Sequence, residues 1–182
     1  MKRVALLNLL LLAGAVVVTS CKKDEKEKEK EKYTNSYAVN GGAETPIEWA
    51  AFRINTSYLD QYEIGLCKRV PPAGKFWDGS KYESEGIEFG FLPEKLNQKI
   101  TIGGPATADW EWWVCLTYDD VQYWENSLLH NGADKITGWY QVSRTGTSNV
   151  FTIKFDLTFG GKHIVGNYQG NLIEKNEYFG FD

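Results

Sequence analysis

The chain has 182 residues, with 20 basic and 24 acidic side chains and only two histidines. Without Lys2, Arg3 and the six lysines and five acids of residues 22–32, 12 basic and 19 acidic residues remain, a charge of about −7 on the 150 residues 33–182. That balance argues against a nucleic-acid partner and against direct adhesion to anionic lipid, while the length suffices for one domain with a real core.

Residues 1–20 open with Lys2 and Arg3, continue through an apolar run over 4–18 and close on Thr19-Ser20 before Cys21. A basic start, a short apolar stretch and small residues at a cleavage point make an export signal. The run is shorter than the roughly 20 residues of a spanning helix. A small-residue site that ends in Cys looks like a bacterial lipobox. The resemblance implies cleavage before Cys21, acylation of its thiol and new amino group, and a membrane partner held through a multi-chain lipid anchor.

Residues 22–32 alternate Lys and Glu almost strictly. Neighbours three apart are opposite in charge and neighbours four apart are alike, so helix support nearly cancels. The stretch reads as a solvated spacer that sets the domain roughly 15–20 Å from the anchor. Cys21-Lys22-Lys23-Asp24-Glu25 resembles the surface-export signal of Bacteroidota lipoproteins, which implies the outer membrane and its outward-facing leaflet. A periplasm-facing lipoprotein with a generic charged spacer is the alternative placement.

All 26 aromatic residues fall in 33–182, as expected where strands dominate. Strand-like runs follow in order over 36–40, 47–55, 61–68, 86–92, 99–103 and 109–118. The longest expected loop, 69–85, carries Pro71-Pro72, Gly74 and Gly79. In 109–118, alternation puts Trp110, Trp112, Val114 and Leu116 on one face and Glu111, Trp113 and Cys115 on the other. At most one short helix is expected, near 120–130, with Val121 to Trp124 as an extension of the preceding strand the alternative. There Asp120 is a cap, Val121, Trp124, Leu128 and Leu129 recur at helical spacing, and Asn131-Gly132 is a stop.

The last quarter has the clearest pattern. Residues 136–143 read as a strand and lead into Phe151-Thr152-Ile153-Lys154-Phe155-Asp156-Leu157-Thr158-Phe159, where apolar and polar residues alternate. Gly160-Gly161 makes a two-residue turn that tolerates positive φ at both positions. The loop fixes the register, so Leu157 faces Ile164, Phe155 faces Gly166, Ile153 faces Tyr168 and Phe151 faces Gly170. Glycine opposite phenylalanine lets a ring lie over bare backbone. The expected fold is therefore all-β: an antiparallel β-sandwich or lipocalin-like barrel of about 8–10 strands, in one domain over 33–182.

Chemistry-bearing patterns are sparse. His130 and His163 read as surface residues, with no His-Glu-x-x-His motif, nucleophile elbow, phosphate-binding loop or dinucleotide fingerprint. No cofactor or metal is implied. The acids Glu83, Glu85 and Glu88, Asp109 and Glu111, and Asp119 and Asp120 read as solubilising groups rather than a catalytic pair. Cys67 and Cys115 lie in apolar strand patterns and form either a disulfide or two buried thiols.

The aromatics are the better lead. Trp113, flanked by acids, is either a second buried layer or a solvent-facing plate for a sugar ring. Trp77, in the long loop, is a second candidate plate. The whole resembles the small all-β surface lipoproteins of Bacteroidota. The likeness rests on Ser20 to Glu25 and on Gly138-Trp139-Tyr140, Phe151-Thr152-Ile153 and the run from Gly161 to Leu172. It implies placement and fold, and no catalytic residues. The expected function is a non-catalytic binding module for a glycan or other extracellular ligand. The alternatives are a carrier of an apolar small molecule and a structural part of a surface complex.

Overall fold

A computed structural model describes residues 32–56, 60–71, 85–103, 110–128 and 136–176. The described residues belong to one compact unit, Lys32–Asp182. The described residues form twelve strands: β1 Ser36–Val39, β2 Thr45–Pro46, β3 Trp49–Asn55, β4 Gln61–Cys67, β5 Gly86–Phe91, β6 Lys99–Ile102, β7 Trp112–Tyr118, β8 Val121–Asn126, β9 Thr137–Arg144, β10 Val150–Phe159, β11 Lys162–Asn171 and β12 Ile173–Glu174. They form two six-stranded sheets, ordered β2-β1-β11-β10-β9-β6 (sheet I) and β12-β3-β4-β5-β7-β8 (sheet II). Among the described strands each sheet keeps its own edges and no pairing joins the two, so the architecture is a sandwich and not a closed barrel.

The β10–β11 hairpin has the register set by its glycine turn, with Leu157 opposite Ile164, Phe155 opposite Gly166, Ile153 opposite Tyr168 and Phe151 opposite Gly170. Gly160 and Gly161 take φ of 48° and 73°, the left-handed pair that matches strand twist. Phe155 lies over Gly166, as the pairing leads one to expect. At Gly170 the nearest group is instead the Tyr168 ring of the same strand, whose hydroxyl donates to Asn171 O at 3.0 Å.

Residues 121–126 form strand β8 and not a helix. The reason is the turn before them: Asp119 and Asp120 both have positive φ, 50° and 59°, and close a second two-residue hairpin. Once β7 fixes the register, Tyr123 packs edge-on against Phe159 at 4.9 Å while Trp124 turns to the opposite face. A two-residue loop leaves no room for a cap and first turn. Among the described residues the only helical piece is a 3₁₀ turn, Pro93–Lys95.

Between the sheets the core is dense with rings. Phe52, Phe89 and Phe91 of sheet II meet Tyr140, Phe151, Phe155 and Phe159 of sheet I, all almost fully buried. Phe52 lies 5.1 Å from Phe151, and Phe89 lies 4.6 Å from Tyr140. Each buried phenylalanine contributes about 1.5–3 kcal/mol, so this layer is the main driving force for joining the sheets. Tyr140 also donates to Gly90 O at 3.0 Å, so its hydroxyl, deep in the ring layer, is satisfied and ties β9 to β5.

Candidate functional site

The two outer faces of the sandwich are chemically different. Sheet II is buried on its outer face as well. Trp49 and Ala51 on β3, Cys67 on β4, Glu88 on β5, and Trp113 and Cys115 on β7 all point away from sheet I, and all are buried. All twelve described strands belong to the two sheets, so no third layer of described strands lies over this face. Trp113 lies across Gly90, where a Cβ would fall inside its indole, and stacks on Trp124 with centroids 5.2 Å apart. Of the two readings of Trp113, the second buried layer holds and the solvent-facing plate does not.

This face is also polar. Arg53 pairs with Glu63, which accepts a further bond from Asn55 at 2.9 Å. Glu88 is fully buried and its carboxyl has no hydrogen-bond partner, nor has the Thr117 hydroxyl on the same face. Burial, then the nearby Glu63, push the Glu88 carboxyl well above the ordinary carboxylate range, against a smaller opposing pull from Arg53. Burial, with Glu88 adding to it, raises the Cys67 thiol as well.

Cys67 and Cys115 are both buried, and neither is in a disulfide. A disulfide between them is ruled out by position. β4 and β7 pair with opposite edges of β5, which places them two strand spacings apart, about 9.5 Å, beyond the roughly 7 Å that a disulfide spans. Cys115 instead accepts a bond from Gln122 Nε2 at 3.2 Å.

Sheet I presents an open outer face. Its strands alternate strictly, so while Tyr140 and Val142 enter the core, Trp139, Gln141 and Ser143 turn outward beside Thr152, Lys154 and Asp156. Pairing sets these side chains in rows. Lys99, Gln141, Lys154 and Asn167 form one row across β6, β9, β10 and β11, and Thr101, Trp139, Asp156 and Val165 form the next. The Lys99 ammonium sits 4.0 Å from the centre of the Trp139 ring. Lys154 sits 5.5 Å from the ring of Tyr33, which reaches the face from the segment before β1.

Tyr33, Gln141, Ser143, Thr152 and Lys154 line a groove of about 100 Å³. Apart from the tyrosine ring, its walls are polar: an ammonium that donates, and an amide and two hydroxyls that both donate and accept, Thr152 Oγ1 taking a bond from Gln169 Nε2 at 3.2 Å. The acids of the face are engaged elsewhere. Asp156 meets His163 Nε2 at 2.7 Å, and Glu44 accepts from Ser36 at 2.8 Å. A ring, hydroxyls, an amide and a cation along one groove can stack on one side of a polar ligand and bond its edge.

Of the residues singled out from sequence, Cys21 and Trp77 lie outside the described residues. Trp113, Cys67 and Cys115 share one buried face, away from the groove. The groove residues were not singled out. The strand 136–143 was recognised, and extending the period of two through it would have set Trp139 outward opposite Tyr140. The approach of Tyr33 depends on β1 docking against β11, a long-range pairing without a local signal. Among the described residues, no group of three or more His, Cys, Asp or Glu side chains could hold a metal ion. No family model matches the chain, and no curated protein or solved structure matches it either.

Proposed function

We propose that the protein is a lipid-anchored binding module displayed at a bacterial surface, and that it holds an extracellular glycan on the outer face of sheet I without making or breaking bonds. The anchor and placement rest on Ser20-Cys21 and the acidic residues that follow. The observation that carries the binding reading is the groove that the Tyr33 ring lines together with Gln141, Ser143, Thr152 and Lys154. Sugars offer C–H faces to rings and hydroxyls to amides and lysines, and this combination serves both.

The carrier alternative has less support. The space between the sheets is filled by Phe52, Phe89, Phe155 and Tyr140, where a carrier would need room.

Binding to an array of oligosaccharides, compared with that of Tyr33→Ala and Trp139→Ala, tests the reading. Loss of one stacking ring should weaken binding about tenfold, on the order of 1.4 kcal/mol. No binding by the parent, or unchanged binding by both variants, refutes it. Cys21→Ser should abolish incorporation of labelled fatty acid and release the protein from membranes; continued labelling refutes the anchor.

A further inference from the structure

We infer that Asn35 is a positioning residue of this site: its side-chain amide lifts the chain out of sheet I and holds Tyr33 across the outer face. The inference rests on the glycan reading above and adds how the stacking ring is held in place.

The pairing of β1 with β11 shows where the chain departs. Ser36 pairs with Asn167, and two residues further along the same ladder Thr34 would face Gln169. That rung is not made by the backbone. The Gln169 N–H donates instead to Asn35 Oδ1 at 2.7 Å, and the Gln169 carbonyl accepts from Asn35 Nδ2 at 3.2 Å. A carboxamide carries an acceptor and a donor side by side, as an extended backbone does, so Asn35 stands in for the missing rung. The edge of β11 is satisfied at Gln169 while the backbone of Thr34 leaves the ladder.

Three further contacts direct the departing chain. Asn35 takes a φ of 52°, a left-handed turn that asparagine tolerates better than most residues. Its carbonyl accepts from Ile47 N–H at 2.8 Å, which fixes the turn from the opposite side. Thr34 N–H then donates to Asn167 Oδ1 at 2.8 Å. Asn167 shares the outward row of Lys154 and Gln141, so Thr34 lies above the sheet and not in its plane. One residue earlier in the chain, the centre of the Tyr33 ring is 5.5 Å from the Lys154 ammonium, and the ring joins Gln141, Ser143 and Thr152 in lining the groove. Neither Asn35 nor Asn167 lines it, so both act through Tyr33. A ring already held loses little freedom when a sugar stacks on it, whereas a ring on an unpinned segment must be ordered at that moment, which weakens binding.

The test uses the full-length acylated protein in detergent. Fluorine NMR of protein carrying fluorotyrosine, with the Tyr33 signal identified by its loss in Tyr33→Phe, reads the ring directly. Asn35→Gly keeps the left-handed turn and removes only the amide. It should move the Tyr33 signal most of the way to its position in the urea-denatured chain; an unmoved signal overturns the inference. Binding is read with cellohexaose, mannohexaose and galactohexaose. For whichever of these the parent binds, or failing them the tightest saccharide on the array, Asn35→Gly should lose most of the factor lost in Tyr33→Ala. Made on top of Tyr33→Ala, it should lose less than about a further twofold. Full retention of binding, or equal losses in the two backgrounds, overturns the role of Asn35 and leaves the glycan reading standing. Asn167→Ala, which removes the hold on Thr34 and keeps the backbone rungs of β11, should show the same pattern, and it decides the matter if the glycine variant does not fold. Binding of no saccharide at all by the parent overturns both readings.

Discussion

Replacing Glu88 by glutamine should change how stability depends on pH more than it changes stability itself. The carboxyl is fully buried and unpartnered, and it is pushed well above its ordinary value of 4.5. In the unfolded chain it loses its proton near that ordinary value. In the folded chain it keeps the proton to higher pH. From about pH 4.5 upward the folded state therefore binds one more proton than the unfolded one, and stability falls as pH rises until the folded group ionises. The slope is up to about 1.4 kcal/mol per pH unit for one proton. The amide cannot titrate, so Glu88→Gln lacks this slope. Both side chains leave a buried polar group unsatisfied at a cost of about 1–3 kcal/mol, which offsets the two curves without tilting them. Urea unfolding followed by tryptophan fluorescence, at pH steps from 5 upward, gives the comparison. The parent should lose stability relative to the variant as pH rises from 5, by at most about 1.4 kcal/mol per pH unit. Parallel curves, or a parent that gains on the variant as pH rises, refute the burial argument.

Other perturbations follow from single contacts. Gly90→Ala sets a Cβ inside the Trp113 indole; it should destabilise by about 1–3 kcal/mol and shift tryptophan emission, and a variant with unchanged melting and emission would contradict that placement. Asp119→Asn with Asp120→Gly installs the pair favoured where two successive φ values are positive; a gain of about 0.5–1 kcal/mol in thermal unfolding is expected, and a loss would contradict the turn type. Tyr140→Phe removes the bond to Gly90 O and should cost about 0.5–1.5 kcal/mol by denaturant titration; no change would mean the bond contributes nothing net. The thiols of Cys67 and Cys115 should stay unmodified by a thiol reagent in native protein and both react in denaturant; mass spectrometry showing a bridge between them would overturn the strand spacing.

The parts of the fold legible in the sequence are those governed by local rules. A period of two and a glycine pair fix the register from Phe151 to Gly170, because a two-residue turn leaves no freedom of pairing. The stretch after Tyr118 is ambiguous in sequence because Val121, Trp124 and Leu128 recur at helical spacing while Val121 to Trp124 also fits a strand. What decides is the left-handed backbone at Asp119 and Asp120, and aspartate is only a weak marker of it. Trp113 was ambiguous for a related reason: alternation names two faces but not which of them is wet. In sheet II neither is, since Cys67, Glu88 and Cys115 are as buried as Phe89. The groove needs Tyr33 brought beside β9 and β10 by the docking of β1 on β11, a contact across more than 100 residues, which no window of sequence displays.

The short links between sheets fall on one side. Only Ile47 and Glu48 separate β2 from β3, and only Leu172 separates β11 from β12, whereas β5 reaches β6 through the longer stretch 92–98. The molecule is therefore bound like a book, with a tight spine along β1, β2 and β3 and a fore-edge at β6 and β8. Thermal gaping should start at the fore-edge, where amide protons would trade with solvent first, while the pages near the spine stay shut until the whole volume comes apart.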